Sequence, residues 1–183
     1  MRSSMLETSC RTLLGFRAAV RISVSLTSLL TCTTATTAMA QTSAVRVVRD
    51  VPYLQAGSYA DDKDKLDLYL PAGPSNAPVI VSYYGNQLMV GDKNEGAYIG
   101  RRFAAAGFVT AVVNYRLSPR VSHPAHIQDA AASFAWVKRH VAEYGGNPER
   151  IFVIGYSAGG YLAALLSTDR RYLAAHDLSP RDI

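Results

Sequence analysis

The sequence predicts an α/β fold in which a mostly parallel central sheet carries helices on both faces. Short apolar runs recur between glycine, proline and asparagine residues, as strands buried in a parallel sheet do. Segments with apolar residues at spacings of three and four separate these runs and predict helices. One stretch, residues 151–166, passes from an apolar run through a glycine-flanked serine into an Ala/Leu-rich segment. Alternating strands and helices of this kind favour a parallel sheet covered on both sides.

Residues 1–40 are interpreted as a signal peptide. They contain four arginines and one glutamate, then a short apolar stretch, and they end in Ala38-Met39-Ala40, a small-x-small cleavage pattern. This segment predicts export to a bacterial periplasm or secretion, with residues 41–183 as the mature domain. A disordered N-terminal tail is the alternative interpretation. The apolar stretch is too short to predict a stable membrane span.

Charge and cysteine content restrict the function classes. Removing the four arginines and one glutamate of the leader lowers the formal charge from +5 to +2, so we expect no nucleic-acid partner. Both cysteines, Cys10 and Cys32, lie in the leader. The mature chain is therefore predicted to have neither a disulfide nor a thiolate metal site.

The mature chain alternates between the two kinds of element. Strands are predicted at residues 45–53, 65–70, 78–84, 109–114 and 151–154, and helices at 95–106, 124–144 and after Ser157. The runs at 78–84 and 109–114 predict interior strands. The period-two alternation of residues 65–70 predicts a half-exposed strand near a sheet edge.

The serine turn carries the chemical signal. Gly155 and Gly159 flank Ser157 in a G-x-S-x-G frame, at positions where a Cβ would crowd the strand against the helix. We expect Ser157 to adopt an uncommon backbone conformation outside the C-terminal strand ends. Ala158 opens the helix, so its N–H is predicted to point toward whatever Ser157 attacks. The alternative interpretation is an ordinary glycine-rich connection between a strand and a helix, without a catalytic role.

Together with other motifs, this turn resembles the α/β-hydrolase fold, in the esterase/lipase branch of hormone-sensitive-lipase-like esterases and arylformamidase-like hydrolases. The resemblance covers residues 45–183 and also rests on residues 91–93 (Gly-Asp-Lys), 114–119 (Asn-Tyr-Arg-Leu-Ser-Pro), 124–129 and 143–151. It implies a serine hydrolase that cleaves small carboxylic esters, with aryl-formamides as a further substrate class. Ser157 would be its nucleophile, and neither a metal nor an organic cofactor is expected.

The segment after the third strand departs from the family pattern. The family's glycine-rich run, which starts His-Gly-Gly-Gly, is replaced here by residues 84–88, Tyr-Gly-Asn-Gln-Leu. The resemblance implies an oxyanion hole formed by backbone N–H groups of Gly85, Asn86, Gln87 and Ala158. Glycine suits such a loop because it accepts a positive φ, which asparagine tolerates better than glutamine.

The catalytic acid and base are the second departure. The family order is serine, then an acid, then histidine, but only 26 residues follow Ser157. Asp169 and His176 have the right order but are too close together, and are interpreted as surface residues of a helix and its exit. The other histidines precede the serine and are interpreted as solvated or capping residues: His123, His126 and His140.

The sequence is therefore expected to be C-terminally truncated and to lack the acid and histidine of the triad. The competing function is a non-catalytic α/β-hydrolase-like fragment or binding protein. We also expect the strand at 151–155 to become a sheet edge if later strands are absent. Arg116 and Asp129, at element ends beside the serine turn, either pair or are separately solvated.

Overall fold

Five strands form one sheet in the order β1-β2-β4-β3-β5. They are β1 (Arg46–Pro52), β2 (Lys65–Leu70), β3 (Ala77–Tyr83), β4 (Val109–Val113) and β5 (Gly146–Gly155). The strands β3, β4 and β5 pair in parallel, whereas β2 is antiparallel to both of its neighbours. Because β1 is antiparallel to β2, four of the five strands point the same way, which confirms the mostly parallel sheet.

The structure is a computed structural model that describes residues 44–55, 59–73 and 75–183, all within the unit Ala40–Ile183. The predicted signal peptide at residues 1–40 and its cleavage site lie outside the described residues. The helices are α1 (Ala97–Ala105), α2 (Ala125–His140), α3 (Ala158–Thr168) and α4 (Arg170–Ala174). Short 3₁₀ turns occupy Asn86–Leu88, Lys93–Gly96, Val141–Tyr144 and Pro180–Asp182.

Helices cover both faces of the sheet, as predicted. On one face, α1 lies against Tyr69 and Val112, and a Cβ added at Gly100 would overlap the Tyr69 ring. On the other face, α2 and α3 pack over the alternate side chains of the same strands, including Leu68, Val79 and Val81. The sequence predicts an apolar stripe on the helix at 124–144, formed by Ile127, Ala131, Phe134, Val137, Val141 and Tyr144. The first five are buried and Tyr144 is partly buried, so helix period and burial agree.

The bounds of β2 match the prediction, but its predicted half-exposed position near the sheet edge is wrong. β2 lies between β1 and β4, and every residue after Lys65 is buried. Its central Asp67 is fully buried because Lys93 Nζ lies 2.8 Å from one carboxylate oxygen and Arg49 Nη1 lies 3.0 Å from the other. Asp67, the polar residue of the alternating pattern, is therefore a buried charge neutralised by its partners, and it does not mark a solvent-exposed face of β2.

Arg116 and Asp129 form an ion pair that joins the end of β4 to the start of α2. Arg116 Nη2 donates to Asp129 Oδ1 at 2.7 Å, and both Nε and the backbone N–H donate to Oδ2 at 2.8 and 2.9 Å. Tyr59 Oη also donates to Oδ1, at 3.0 Å. The hydrogen bonds to Asp129 raise the pKa of the Arg116 guanidinium. Of the two sequence interpretations, pairing is confirmed.

The strand β5 lies at the edge of the described sheet, because it pairs only with β3. The Phe152 side chain is 51% exposed, and Val153 and Ile154 are half-buried. None of the helices in the described part of the chain is long and apolar enough to cross a membrane.

Candidate active site

The serine turn has the strained geometry that the sequence predicts. Ser157 follows β5 after one residue and immediately precedes α3, with φ 52° and ψ −118°. A positive φ is uncommon for a residue with a side chain, and it persists only where the surroundings enforce it. Ser157 is exposed to solvent at the carboxyl end of the strand. The turn therefore presents a hydroxyl above the sheet edge where open α/β sheets bind ligands.

The two flanking glycines are required by space. A Cβ built at Gly155 would overlap the backbone of Gly159, and one built at Gly159 would overlap the carbonyl oxygens of Tyr83 and Tyr84. Both positions thus allow strand, turn and helix to approach more closely than side chains permit. The spacing of Gly155 and Gly159 around Ser157 therefore predicts this close approach from the sequence alone.

The first turn of α3 places the Ala158 N–H next to the serine. Gly159 N–H donates to the Tyr156 carbonyl at 2.9 Å, which closes the turn, and Tyr161 N–H donates to the Ser157 carbonyl at 3.0 Å. Ala158 is the first residue of the helix, so its N–H has no acceptor within α3. The sequence predicts that the Ala158 N–H is an oxyanion donor, and its place at the start of α3 is the one that this role requires.

Pairing of β3 with β5 brings the loop after β3 to the serine turn. Tyr83 is the register partner of Gly155, so both strands end at the same level. A Cβ added at Gly85 would lie 2.8 Å from the Tyr156 carbonyl oxygen and 3.3 Å from Ser157 Cβ. The predicted loop residue Gly85 therefore lies directly against the predicted nucleophile.

The loop itself is left-handed at three consecutive residues. Asn86, Gln87 and Leu88 have φ values of 65°, 60° and 63°, although none is glycine. Left-handed backbone costs a residue with a Cβ about 1–2 kcal/mol, less for asparagine. Gln87 is expected to fit this conformation poorly, and its positive φ confirms that the loop is strained there. The positive φ of Leu88 is a further strained position that the sequence does not predict. Asn86 and Gln87 are both exposed.

Tyr115 holds the base of this loop. Its hydroxyl donates to the Tyr84 carbonyl at 2.7 Å and to the Gly85 carbonyl at 3.2 Å. The Tyr84 and Tyr115 rings are stacked, with centroids 4.4 Å apart. Burial raises the pKa of both phenols, so both hydroxyls stay protonated and able to donate at neutral pH.

A second set of contacts anchors the turn Lys93–Gly96 beneath the loop. Asn114 Oδ1 accepts from the Lys93 N–H at 2.7 Å, and Asn114 Nδ2 donates to Asp92 Oδ2 at 3.0 Å. Lys93 Nζ reaches the buried Asp67 at 2.8 Å. The motifs at residues 91–93 and 114–119, which support the family resemblance, are therefore structural supports of the site.

A cleft of about 450 Å³ lies between the loop and the serine turn, on the α1 face of β3 and β5. Gly85, Asn86, Glu95, Ile154 and Tyr156 contribute to its wall. It mixes apolar side chains with the loop backbone, as small-molecule sites generally do.

The four histidines all make their contacts away from Ser157. His123 Nε2 lies 3.3 Å from Tyr172 Oη, His140 Nδ1 lies 3.0 Å from Glu143, and the His176 carbonyl accepts from Arg139. Within residues 44–183 as described, no hydrogen bond joins Ser157 Oγ to a histidine. Asp169 caps α4 by accepting from the Arg171 N–H, and His176 follows that helix, as predicted for a surface acid and a helix exit.

His126 is the exception to the interpretation of the histidines as solvated or capping. It is buried in α2, and its Nε2 lies 3.2 Å from Ser118 Oγ. Burial lowers the pKa of His126. The interpretation fails because the His126 ring is buried and contacts Ser118 in the loop that follows β4.

Among the described residues, no cluster of three or more histidine, cysteine, aspartate or glutamate side chains could hold a metal ion. The chemical groups at the turn are instead a serine hydroxyl and backbone N–H donors. This set is suited to attack on a carbonyl carbon and to stabilisation of the resulting oxyanion.

Comparison with known proteins identifies this arrangement as the N-terminal portion of an α/β-hydrolase esterase fold. Esterase B from Lactobacillus Rhamnosis superposes with a TM-score of 0.64 at 27% identity, covering 74% of this chain and 44% of the esterase. The BD-FAE family model matches residues 66–176, and the chain belongs to that family.

Curated relatives are also esterases. The probable isoprenylcysteine alpha-carbonyl methylesterase ICMEL1 of Oryza sativa subsp. japonica is 38% identical over 103 residues, which are 56% of this chain and 24% of the relative. Esterase LipQ of Mycobacterium tuberculosis is 36% identical over 120 residues, which are 63% of this chain and 28% of LipQ. The chain spans about a quarter of the length of these curated relatives.

The sequence does not predict the roles of two residues of the site. Tyr115 belongs to a motif and Glu95 begins a predicted helix, and neither pattern indicates a contact with the loop. Glu95 accepts a hydrogen bond from Asn86 Nδ2 at 2.6 Å. A signal for both was the replacement of glycine at positions 86 and 87, because a left-handed loop without glycine requires tertiary contacts to hold it.

Proposed function

We propose that Ser157 is the nucleophile of a carboxylic ester hydrolase. The observation that carries the proposal is the conformation of Ser157, at φ 52° between β5 and α3, with Gly85 packed against it. A strained serine at this junction is the arrangement that α/β-hydrolases use to expose a nucleophilic oxygen. The esterase names of the relatives point to the same reaction class.

In this proposal, Ser157 Oγ attacks the carbonyl carbon of a small ester. The carbonyl oxygen becomes an oxyanion, which accepts hydrogen bonds from the backbone N–H of Ala158 and from those of Gly85, Asn86 and Gln87 in the facing loop. The ester C–O bond then breaks, the proton lost from Ser157 Oγ passes to the leaving oxygen or to solvent, and the acyl group remains on Ser157 until water hydrolyses it. Preorganised N–H donors are effective because they need no reorientation as charge develops.

The base and acid of this reaction lie outside the contacts described for Ser157. A serine without a paired histidine stays protonated and is weakly nucleophilic at neutral pH. Loss of a triad nevertheless leaves about 10³–10⁴-fold acceleration over water in a well-formed protease site. We therefore expect the 183-residue chain to be acylated slowly by an activated ester and to release the acyl group slowly.

The replaced glycine run at residues 84–88 and the lack of a described histidine contact at Ser157 favour the alternative, a hydrolase-like binding protein that has the turn without the chemistry. The two functions differ in one respect, which is whether a covalent bond forms at Ser157. A binding protein would retain the ester unchanged.

The test is acylation by p-nitrophenyl acetate, followed by peptide mass spectrometry. The proposal predicts one acetyl group on the peptide that contains Ser157, which is absent from Ser157→Ala and retained in the matched control Ser122→Ala, an exposed serine of the loop before α2. Acetylation spread equally over lysines and tyrosines of wild type and Ser157→Ala would contradict it.

Export of the mature domain to the periplasm or medium belongs to the same proposal, supported by the pattern of residues 1–40. N-terminal sequencing of exported protein should begin at Gln41. A cytoplasmic product that retains the leader would contradict this part of the proposal alone.

A further inference from the structure

The loop that faces Ser157 requires an external support. Three successive residues with side chains have positive φ, and such residues persist only when the surroundings hold them. At its far end, the Leu88 carbonyl accepts from the Ser118 N–H at 2.8 Å, and the Leu88 side chain packs against the core. At its near end, Tyr115 holds the carbonyls of Tyr84 and Gly85.

Between these two anchors, Asn86 has one described side-chain contact, the hydrogen bond from its Nδ2 to Glu95 Oε2. The acceptor is a carboxylate, and hydrogen bonds to ionised acceptors are stronger than those between neutral groups. Asn86 is also the residue whose carbonyl closes the turn, since it accepts from the Met89 N–H at 3.1 Å. Fixing the Asn86 side chain therefore fixes the backbone of the turn.

Glu95 is itself firmly placed. It lies in the turn Lys93–Gly96, in which Lys93 and Gly96 are buried and Glu95 itself is exposed. Lys93 is held by Asp67 and Asp50 at 2.8 and 2.7 Å, and a Cβ at Gly96 would overlap Val112. The Glu95 side chain therefore starts from a well-packed turn and lines the cleft between the loop and the serine turn.

We propose that Glu95 is a positioning residue for the oxyanion loop, and that its hydrogen bond to Asn86 holds the left-handed conformation that glycine would adopt without help. This inference rests on the proposed function of Ser157 and adds the part played by a side chain that acts through Asn86. Glu95 acts as an acceptor in this role, so an uncharged acceptor of similar length should serve.

The first measurement is the rate of Ser157 acylation by p-nitrophenyl acetate. Glu95→Ala should lower this rate about tenfold, as expected for loss of one hydrogen bond to a charged group, and Glu95→Gln should restore most of it. The matched control is Glu143→Ala, an exposed glutamate whose carboxylate contacts His140. Glu143→Ala should acylate at the wild-type rate.

A double-mutant cycle separates positioning from general stability. In the Asn86→Gly background the tether is absent and the backbone is free to be left-handed. Adding Glu95→Ala there should change the acylation rate less than twofold, because the two substitutions remove the same interaction. An equal tenfold loss in both backgrounds would overturn the role assigned to the hydrogen bond.

The second measurement is amide hydrogen exchange, which does not require acylation. Glu95→Ala should speed exchange at Met89 and Ser118, whose N–H groups bind the loop carbonyls, while amides between β3 and β5 stay unchanged. Unchanged exchange at Met89, or an unchanged acylation rate in Glu95→Ala, would overturn the inference. If wild type shows no acylation at Ser157, the proposed function fails, and with it the assignment of this loop as an oxyanion loop. In that case, faster exchange in Glu95→Ala would show only that the hydrogen bond between Glu95 and Asn86 holds the loop, without a role in catalysis.

Discussion

The two segments that meet at the candidate site achieve strained backbone in different ways. The serine turn places glycines where β5 and α3 touch each other and where α3 touches the end of β3, so its geometry follows from the absence of a Cβ at two positions. The loop after β3 has one glycine and three left-handed residues with side chains, and it relies on hydrogen bonds from Tyr115, Ser118 and Asn86. Strain supported by glycine can be identified from spacing, whereas strain supported by tertiary contacts cannot.

The largest expected effect is at the glycine-dependent turn. Gly159→Ala places a Cβ against the carbonyl oxygens of Tyr83 and Tyr84, neither of which can move without displacing β3. We expect the free energy of unfolding to fall by about 3 kcal/mol or more, measured by urea denaturation. Gly160→Ala is the control, because its nearest atom would be the Gly155 carbonyl oxygen at 3.3 Å, and it should change stability by less than about 1 kcal/mol. Equal losses in the two variants would contradict the steric account.

The contact-dependent loop should respond to removal of one hydroxyl. Tyr115→Phe leaves the buried carbonyls of Tyr84 and Gly85 without this donor, and we expect a loss of about 2 kcal/mol in the free energy of unfolding. The rate of Ser157 acylation should fall as well. Tyr98→Phe removes the hydroxyl of a tyrosine that is 69% exposed, and it should leave both quantities unchanged. If Tyr115→Phe matched Tyr98→Phe, Tyr115 would not support the loop.

Relief of strain in the loop should have the opposite effect and increase stability. Gln87 has φ 60° and ψ 14°, which glycine adopts without steric cost. Gln87→Gly should therefore raise the free energy of unfolding by about 1 kcal/mol, whereas the β-branched Gln87→Val should lower it. Thermal and urea melts of the pair measure the difference. A loop in which glycine destabilises as much as valine would not be left-handed at this position.

The smallest expected effect on stability concerns the edge strand that leads into the serine turn. Phe152 is half-exposed on β5, where unpaired backbone groups and apolar side chains together favour association. Phe152→Lys should lower binding of an apolar-surface dye and reduce self-association, with less than about 0.5 kcal/mol change in unfolding free energy. Tyr98→Lys, which changes an exposed aromatic residue on α1, should not reduce self-association. A monomeric wild type without dye binding would show that this edge is inert.

Prediction from sequence succeeded where a local rule fixed the geometry. The strand-serine-helix junction, the interior strands β3 and β4, and the stripe of α2 follow from glycine spacing and apolar period. The prediction for β2 is wrong because Asp67 is neutralised by Lys93, which is distant in sequence and cannot be inferred from alternation. The prediction for His126 is wrong for a similar reason, since the ring is buried by a contact with Ser118 that only the folded chain defines. The tether between Asn86 and Glu95 is likewise a pairing that only the folded chain defines.

The most direct test of the account is the time course of p-nitrophenol release by the purified 183-residue chain. With Ser157 as a nucleophile that has no histidine partner among its described contacts, we predict a slow release that levels off near one equivalent per chain and is absent from Ser157→Ala. Sustained turnover at ordinary esterase rates of about 1–10³ s⁻¹, lost in Ser157→Ala, would show that a base is present, and His176 would be the first residue to substitute. Release that is identical in wild type and Ser157→Ala would contradict the central claim that this turn presents a nucleophile.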